Sequence, residues 1–133
     1  MHRQNYQPEG LAKRIVNGKN LYYHAVAVEG VKRMIFVSGQ LSRSPQEPVV
    51  GKGDMAAQIR QVGENVRIAL EAAGATLEHV IKTNTYVTDI DEFFKHADLR
   101  MQYFLAMPTS TTVEVRRLSH PDYMVEIEVV AMV

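Results

Sequence analysis

A chain of 133 residues, 46% of them hydrophobic and 23% charged, is long enough for one core and too short for two. Fifteen basic residues offset fifteen acidic ones, so net charge is zero and the bulk electrostatic pull towards nucleic acid is absent. There is no cysteine, which removes disulfides, thiolate nucleophiles and cysteine zinc sites together, and no run of about 18 apolar residues to span a membrane.

Residues 1–20 carry Pro8, Gly10 and Gly18 with little periodicity and predict an irregular N-terminal arm on a single domain, 1–133. The polar start, Met1-His2-Arg3-Gln4-Asn5, lacks the apolar centre of a signal peptide, and a cytoplasmic location is expected. From Leu21 to Val28 the pattern is β-rich. Glu29-Gly30-Val31-Lys32-Arg33 predicts a hairpin turn into a partner strand, Met34 to Val37. Ser42 to Gly53 reads as a loop with one short strand at Val49-Val50.

Asp54 has the chemistry of an N-cap. Behind it Met55, Ile59, Val62, Val66, Leu70 and Ala73 recur at helical spacing, and Gly74 suits the C′ position. Val80 to Thr88 predicts a strand with Ile81, Thr83, Thr85 and Val87 on one face and Lys82, Asn84, Tyr86 and Thr88 on the other. Asp89 or Asp91 caps a second helix with Phe93, Ala97, Met101, Phe104 and Leu105 on its apolar side, stopped by Pro108. Two strands, Ser110 to Arg117 and Tyr123 to Met132, finish the chain around a corner at Leu118–Asp122.

This order predicts an α+β sandwich: one mostly antiparallel sheet covered on one face by two helices. The open face is expected to carry Glu114, Glu126, Glu128, Val130 and Met132, a mixture of the kind buried between subunits. The five histidines show no metal-binding spacing, and Gly51-Lys52-Gly53 is too short for a phosphate loop, so no metal and no cofactor are expected.

Several short motifs share one order. They are Tyr22-Tyr23-His24-Ala25-Val26, Ser38-Gly39-Gln40, Ala72-Ala73-Gly74-Ala75-Thr76-Leu77, Val80-Ile81-Lys82-Thr83, Tyr86-Val87-Thr88-Asp89, Val113-Glu114-Val115 and Glu126-Ile127-Glu128. Each is weak alone; in sequence over about 110 residues they are specific. Together they resemble the RidA/YjgF family of imine and enamine deaminases. The resemblance implies a chorismate-mutase-like fold and a homotrimer whose sheets close around a central barrel. It also implies a small-molecule substrate held in clefts at the subunit junctions. By the same resemblance Tyr22 borders the cleft, Ser38 and Gly39 belong to its substrate-binding set, and Glu126 positions the attacking water.

Two positions depart from the family pattern. Its Pro-Ala-Arg-Ser turn supplies an arginine for the substrate carboxylate, and here Ser110 stands at that place after Pro108. The asparagine usual in the second helix falls at Ala97 or Asp98. A serine offers one neutral hydroxyl, and losing a buried charged hydrogen bond costs about 2–5 kcal/mol of binding. A substrate different from simple 2-imino acids is therefore expected unless another cation compensates.

Arg116 is one candidate, on the same strand face as Ser110 if alternation holds; its other reading is a surface residue paired with Glu114 or Glu128. Lys13 and Arg14, in the arm, are further candidates. Ser110 and Thr112 read either as turn and strand chemistry or as a neutral anion-binding pair, with Thr111 pointing away. Glu126 reads as the catalytic carboxylate or as a strand glutamate facing solvent or an interface. The functional expectation is a hydrolase of a reactive imine or enamine. Its alternative is a non-catalytic trimer of the same family that binds a small metabolite. A ribonuclease is disfavoured by zero net charge and by the lack of a basic stripe with interleaved aromatics.

Overall fold

The computed structural model describes residues 1–133. Its organising element is α1, Met55–Ala72, where Asp54 is extended and its carboxylate accepts the Ala57 amide at 3.0 Å. That bond satisfies one of the free donors at the helix start and contributes about 1 kcal/mol. Of the predicted stripe, Met55, Ile59, Val62, Val66 and Leu70 are buried, while Ala73 is the C-cap residue and is only half-buried. It packs against Val125, Ile127, Val129 and Ala131 of the last strand and against Val80, Val87, Phe93 and Phe104. Each fully buried aliphatic or aromatic side chain there is worth about 1.5–3 kcal/mol.

The main sheet has four strands: β5 (Met34–Leu41), β6 (Val80–Val87), β7 (Thr109–Glu114) and β8 (Val125–Met132). Their spatial order is β5-β8-β6-β7, antiparallel except for the parallel pair β6–β7. The alternation read from β6 holds from Lys82 onward, with Thr83, Thr85 and Val87 buried under the helices and Asn84 and Tyr86 on the other side. A register shift between Val80 and Lys82 puts Val80, and not Ile81, opposite Ala131 in the main core. The architecture is α+β, as expected, with helices on one sheet face only.

Several local expectations are corrected. The second helix is two, α2 (Ile90–Lys95) and α3 (Ala97–Tyr103), divided at His96, whose φ of −107° and ψ of 27° are not helical. Leu105 lies past α3 and is 72% exposed rather than on an apolar face. The segments before and after Gly30 do not pair. β4 (Ala25–Glu29) instead joins β1 (His2–Tyr6), while β5 joins β8. The arm is therefore irregular only in part, between Tyr6 and Ile15. Arg3 pins β1 by donating to the Val80 carbonyl at 2.9 Å and the Ala106 carbonyl at 3.0 Å. A second hairpin, β2 (Ile15–Val16) with β3 (Lys19–Asn20), turns on Asn17 and Gly18, whose φ values of 52° and 75° suit an Asn-Gly turn.

No strand forms at Val49-Val50; the Val50 amide and carbonyl instead bond Ser42. Glu114 does not join the open face. It pairs with Val87 on the helix side, and its carboxylate accepts the Ile90 amide at the start of α2. No helix is long and apolar enough to cross a membrane.

Candidate functional site

The parallel register of β7 against β6 sets Ser110 beside Thr83 and Thr112 beside Thr85. In-register neighbours share a face, so both hydroxyls point to the helix side. A cavity of about 270 Å³ opens there. Ser110, Thr112 and Tyr22 give it hydroxyls, Leu21 and Phe94 give it apolar wall, and Arg14 and Arg100 give it charge.

Arg100 was not among the sequence candidates, and it decides the chemistry of this cavity. It lies on α3 and is only 3% exposed. Its Nη2 donates to Ser110 Oγ at 3.0 Å and to Thr83 Oγ1 at 3.3 Å, and Nη1 donates to the Leu21 carbonyl at 3.3 Å. All three acceptors are neutral, and the ion pairs of the chain lie elsewhere. Burial lowers its pKa to about 10, which leaves it a cation at neutral pH. A guanidinium has five donors; Nε and one Nη1 hydrogen here have no protein acceptor. Ser110, having accepted from Arg100, keeps its own hydrogen to give to a ligand oxygen.

This overturns the expectation of a neutral clamp, and with it the reason for expecting an altered substrate. The guanidinium absent from β7 is supplied by α3 and bonds directly to the serine that stands in its place. The sequence did carry a signal: Arg100 falls three residues after Ala97 and four before Phe104, on the apolar stripe of its helix. A lone charge at that spacing is buried and needs a reason.

Arg116 is not brought to Ser110 within the protomer: it lies beyond the end of β7, is exposed, borders none of the three cavities, and pairs with neither Glu114 nor Glu128. Arg14 does reach the cavity, its guanidinium stacked 4.9 Å from the centre of the Phe94 ring. Tyr22 borders both this cavity and an adjoining one of about 310 Å³ near Lys82 and Thr111, its ring edge-on to His24.

Glu126 occupies the opposite face. On β8 it is in register with Tyr86 and Leu41 and points to the open side of the sheet. Partial burial, then the neighbouring Glu128, raise its pKa above the ordinary carboxylate value, and Arg43 only partly opposes them. A side chain at Gly39 would overlap the Glu126 carboxylate, so only glycine leaves that carboxylate its place at the bulge in β5. Glu128 differs: Tyr86 Oη at 2.8 Å and Asn84 Nδ2 at 3.1 Å donate to it and hold its pKa low. Ser38 lies on this face too, in a depression shared with Phe36, Asn84 and Glu128.

Within one protomer the structure thus gathers Tyr22, Ser110 and Thr112 with Arg100 on one side of the sheet. Ser38, Gly39 and Glu126 gather on the other. The first group can hold an anion; the second presents a fixed carboxylate, Glu128, beside one, Glu126, whose pKa burial and that neighbour raise. No group of three or more His, Asp or Glu is placed to hold a metal ion.

Residues 15–133 match the model of the family described as Endoribonuclease L-PSP. A RutC family protein of Pyrococcus horikoshii is 40% identical over 98 residues, 73% of this chain and 77% of that protein. Among solved structures, YyfB of the conserved Rid protein family from Yersinia pestis superposes with a TM-score of 0.83 at 28% identity, over 100% of both chains. The E. coli protein TdcF, solved with bound serine, superposes with a TM-score of 0.67 at 27% identity, over 97% of this chain and 98% of that one.

Proposed function

Because this chain belongs to the RidA/YjgF family, whose model bears the description Endoribonuclease L-PSP, we propose that it is a hydrolase of carboxylate-bearing imines or enamines, working in clefts between the subunits of a homotrimer. The observation that carries this reading is Arg100. A buried cation without a carboxylate partner is costly, and an anionic ligand relieves that cost. A relative that binds serine, whose carboxylate is of the required kind, adds support.

In this mechanism the substrate carboxylate accepts hydrogen bonds from Arg100 and from the Ser110 hydroxyl, which aims the C=N carbon across the subunit junction. Glu126 of the neighbouring protomer takes a proton from water, and the hydroxide adds to the imine carbon. Glu126 returns that proton to nitrogen to give a carbinolamine, then carries the hydroxyl proton to the same nitrogen as the C–N bond breaks, so that ammonia leaves and a 2-oxo acid remains. An enamine enters the same route after protonation at its β-carbon. The imine is already electrophilic, so a placed water and one proton carrier suffice. The raised pKa of Glu126 brings it nearer the neutral range, where taking and giving a proton are both possible.

The family description also points to RNA. Zero net charge and a cavity of about 270 Å³ suit a small anion better than a polymer backbone.

The test is a relocation of charge. Arg100→Ala is expected to lower kcat/KM for 2-iminopropanoate at least about 100-fold, following the cost of a lost buried charged contact. Adding Ser110→Arg to that variant returns the guanidinium from β7 and is expected to restore at least a tenth of the activity. Glu126→Ala is expected to abolish turnover while leaving the assembly intact. Undiminished turnover in Arg100→Ala would remove the basis of the reading. Ligand binding by the unaltered protein without turnover of any imine would favour the metabolite-binding alternative.

A further inference from the structure

Resting on the hydrolase reading, we infer that the cavity selects doubly anionic ligands, the imines of dicarboxylic amino acids, with Arg14 as the determinant of the second charge. Within one protomer two guanidiniums line one small cavity and no carboxylate does, and the neighbour's Glu126 is assigned to the reacting water and not to either arginine. Acidic residues are as numerous as basic ones in the chain, so this imbalance is local and not a by-product of composition. Neither arginine has an ion-pair partner. A monocarboxylate answers only one of them. A dicarboxylate answers both and removes the repulsion between them.

Arg14 is positioned for this role and not simply near it. Its backbone carbonyl accepts the Leu21 amide at 3.1 Å, at the base of the β2–β3 hairpin. Its guanidinium rests on the Phe94 ring, which fixes its plane while leaving its donors free. Arg14 belongs to an exposed part of the arm and Arg100 is buried, so the two define a rim and a floor. The carboxylate next to the reacting imine goes to Arg100 and Ser110, and the distal one goes to Arg14. Leu21 and Phe94 supply apolar wall for a short methylene chain. The volume, about 270 Å³, lies at the small end for ligand sites and suits such a molecule.

Calorimetric titration of the intact protein at fixed ionic strength, with succinate and glutarate against butyrate and pentanoate, tests the inference. The dicarboxylates are expected to bind about tenfold tighter or better, as a charge partner discriminates against a ligand that leaves it unpaired. Arg14→Gln is expected to bring the ratio of the two affinities to near one, and Arg14→Lys to retain most of it. Equal affinities in the unaltered protein, or a ratio untouched by Arg14→Gln, would overturn the inference and leave the hydrolase reading standing on monocarboxylate binding. If neither class binds and charge relocation at Arg100 and Ser110 also fails, the hydrolase reading falls, and this inference with it.

Discussion

A carboxylate that must accept a proton from water works only once it has lost its own, so in the proposed mechanism Glu126 sets the acid limit of activity. Its pKa is raised by burial and by Glu128, which places the acid limb of the kcat/KM profile above the ordinary glutamate value of about 4.3. Activity is therefore expected to fall as pH drops through that raised value. A limb at or below 4.3 would separate it from Glu126. The linked stability has the opposite sense. A raised acid pKa means the fold favours the protonated form, so the fold is relatively better off at low pH and loses that advantage as pH rises through the folded pKa. Glu126→Gln should then be inactive yet no less stable than the unaltered protein at neutral pH. Glu128, held low by Tyr86 and Asn84, behaves in reverse: its contribution is present above the unfolded pKa and lost as pH falls through the folded one. Of the two residues the proposed mechanism rests on, Glu126 belongs to a motif visible in the sequence, whereas Arg100 shows there only as a charge on the apolar spacing of its helix, and its bond to Ser110 is a tertiary matter.

Short elements were less legible than long ones, for identifiable reasons. α1 runs for 18 residues, and its stripe repeats too often to be mistaken. The β2–β3 hairpin has only two residues a side, and its Asn17-Gly18 turn was the one local sign of it. Strand partners are a tertiary matter: nothing between Ala25 and Met34 states that β4 pairs with β1 while β5 pairs with β8. The interruption at His96 left the apolar spacing unbroken and so was invisible. One consequence belongs to the packing of α1 on α3. Gly63 faces Tyr103, and a Cβ there would lie 2.6 Å from the ring, too close for both to stay in place. Gly63→Ala gains about 1 kcal/mol of helix propensity but forces a ring shift costing about 1–3 kcal/mol. A net loss of about 1 kcal/mol is expected in urea unfolding, with an unchanged m value. Because Tyr103 and Arg100 share α3, kcat/KM should fall as well. Full activity together with raised stability would show that the α1–α3 contact does not govern the cavity.

At the scale of the molecule, the sheet itself separates the two halves of the proposed site. Ser110 and Arg100 lie on its helix side and Glu126 on its open side, so no motion of side chains within one protomer unites them. The open face also leaves Phe36 72% and Met34 53% exposed, an apolar surface unlike the solvated face of a monomer. Both facts are resolved if a neighbour's open-face edge meets the Arg100 cavity, which a cyclic trimer does three times over. Two inactive variants then complement each other. Arg100→Ala protomers keep Glu126, and Glu126→Ala protomers keep Arg100, so a junction with one half from each is intact. In an equal mixture, three quarters of trimers are mixed and each has one intact junction in three, giving roughly a quarter of full activity. Subunit exchange under mild denaturant, followed by an imine turnover assay, measures this directly. Activity that stays at the level of the separate variants, with exchange verified by mass, would mean that the site is not shared between subunits. Met34→Asp, at an exposed position that borders none of the cavities, supplies the matching control: it should dissociate the assembly and abolish turnover while leaving both halves of the site chemically unaltered.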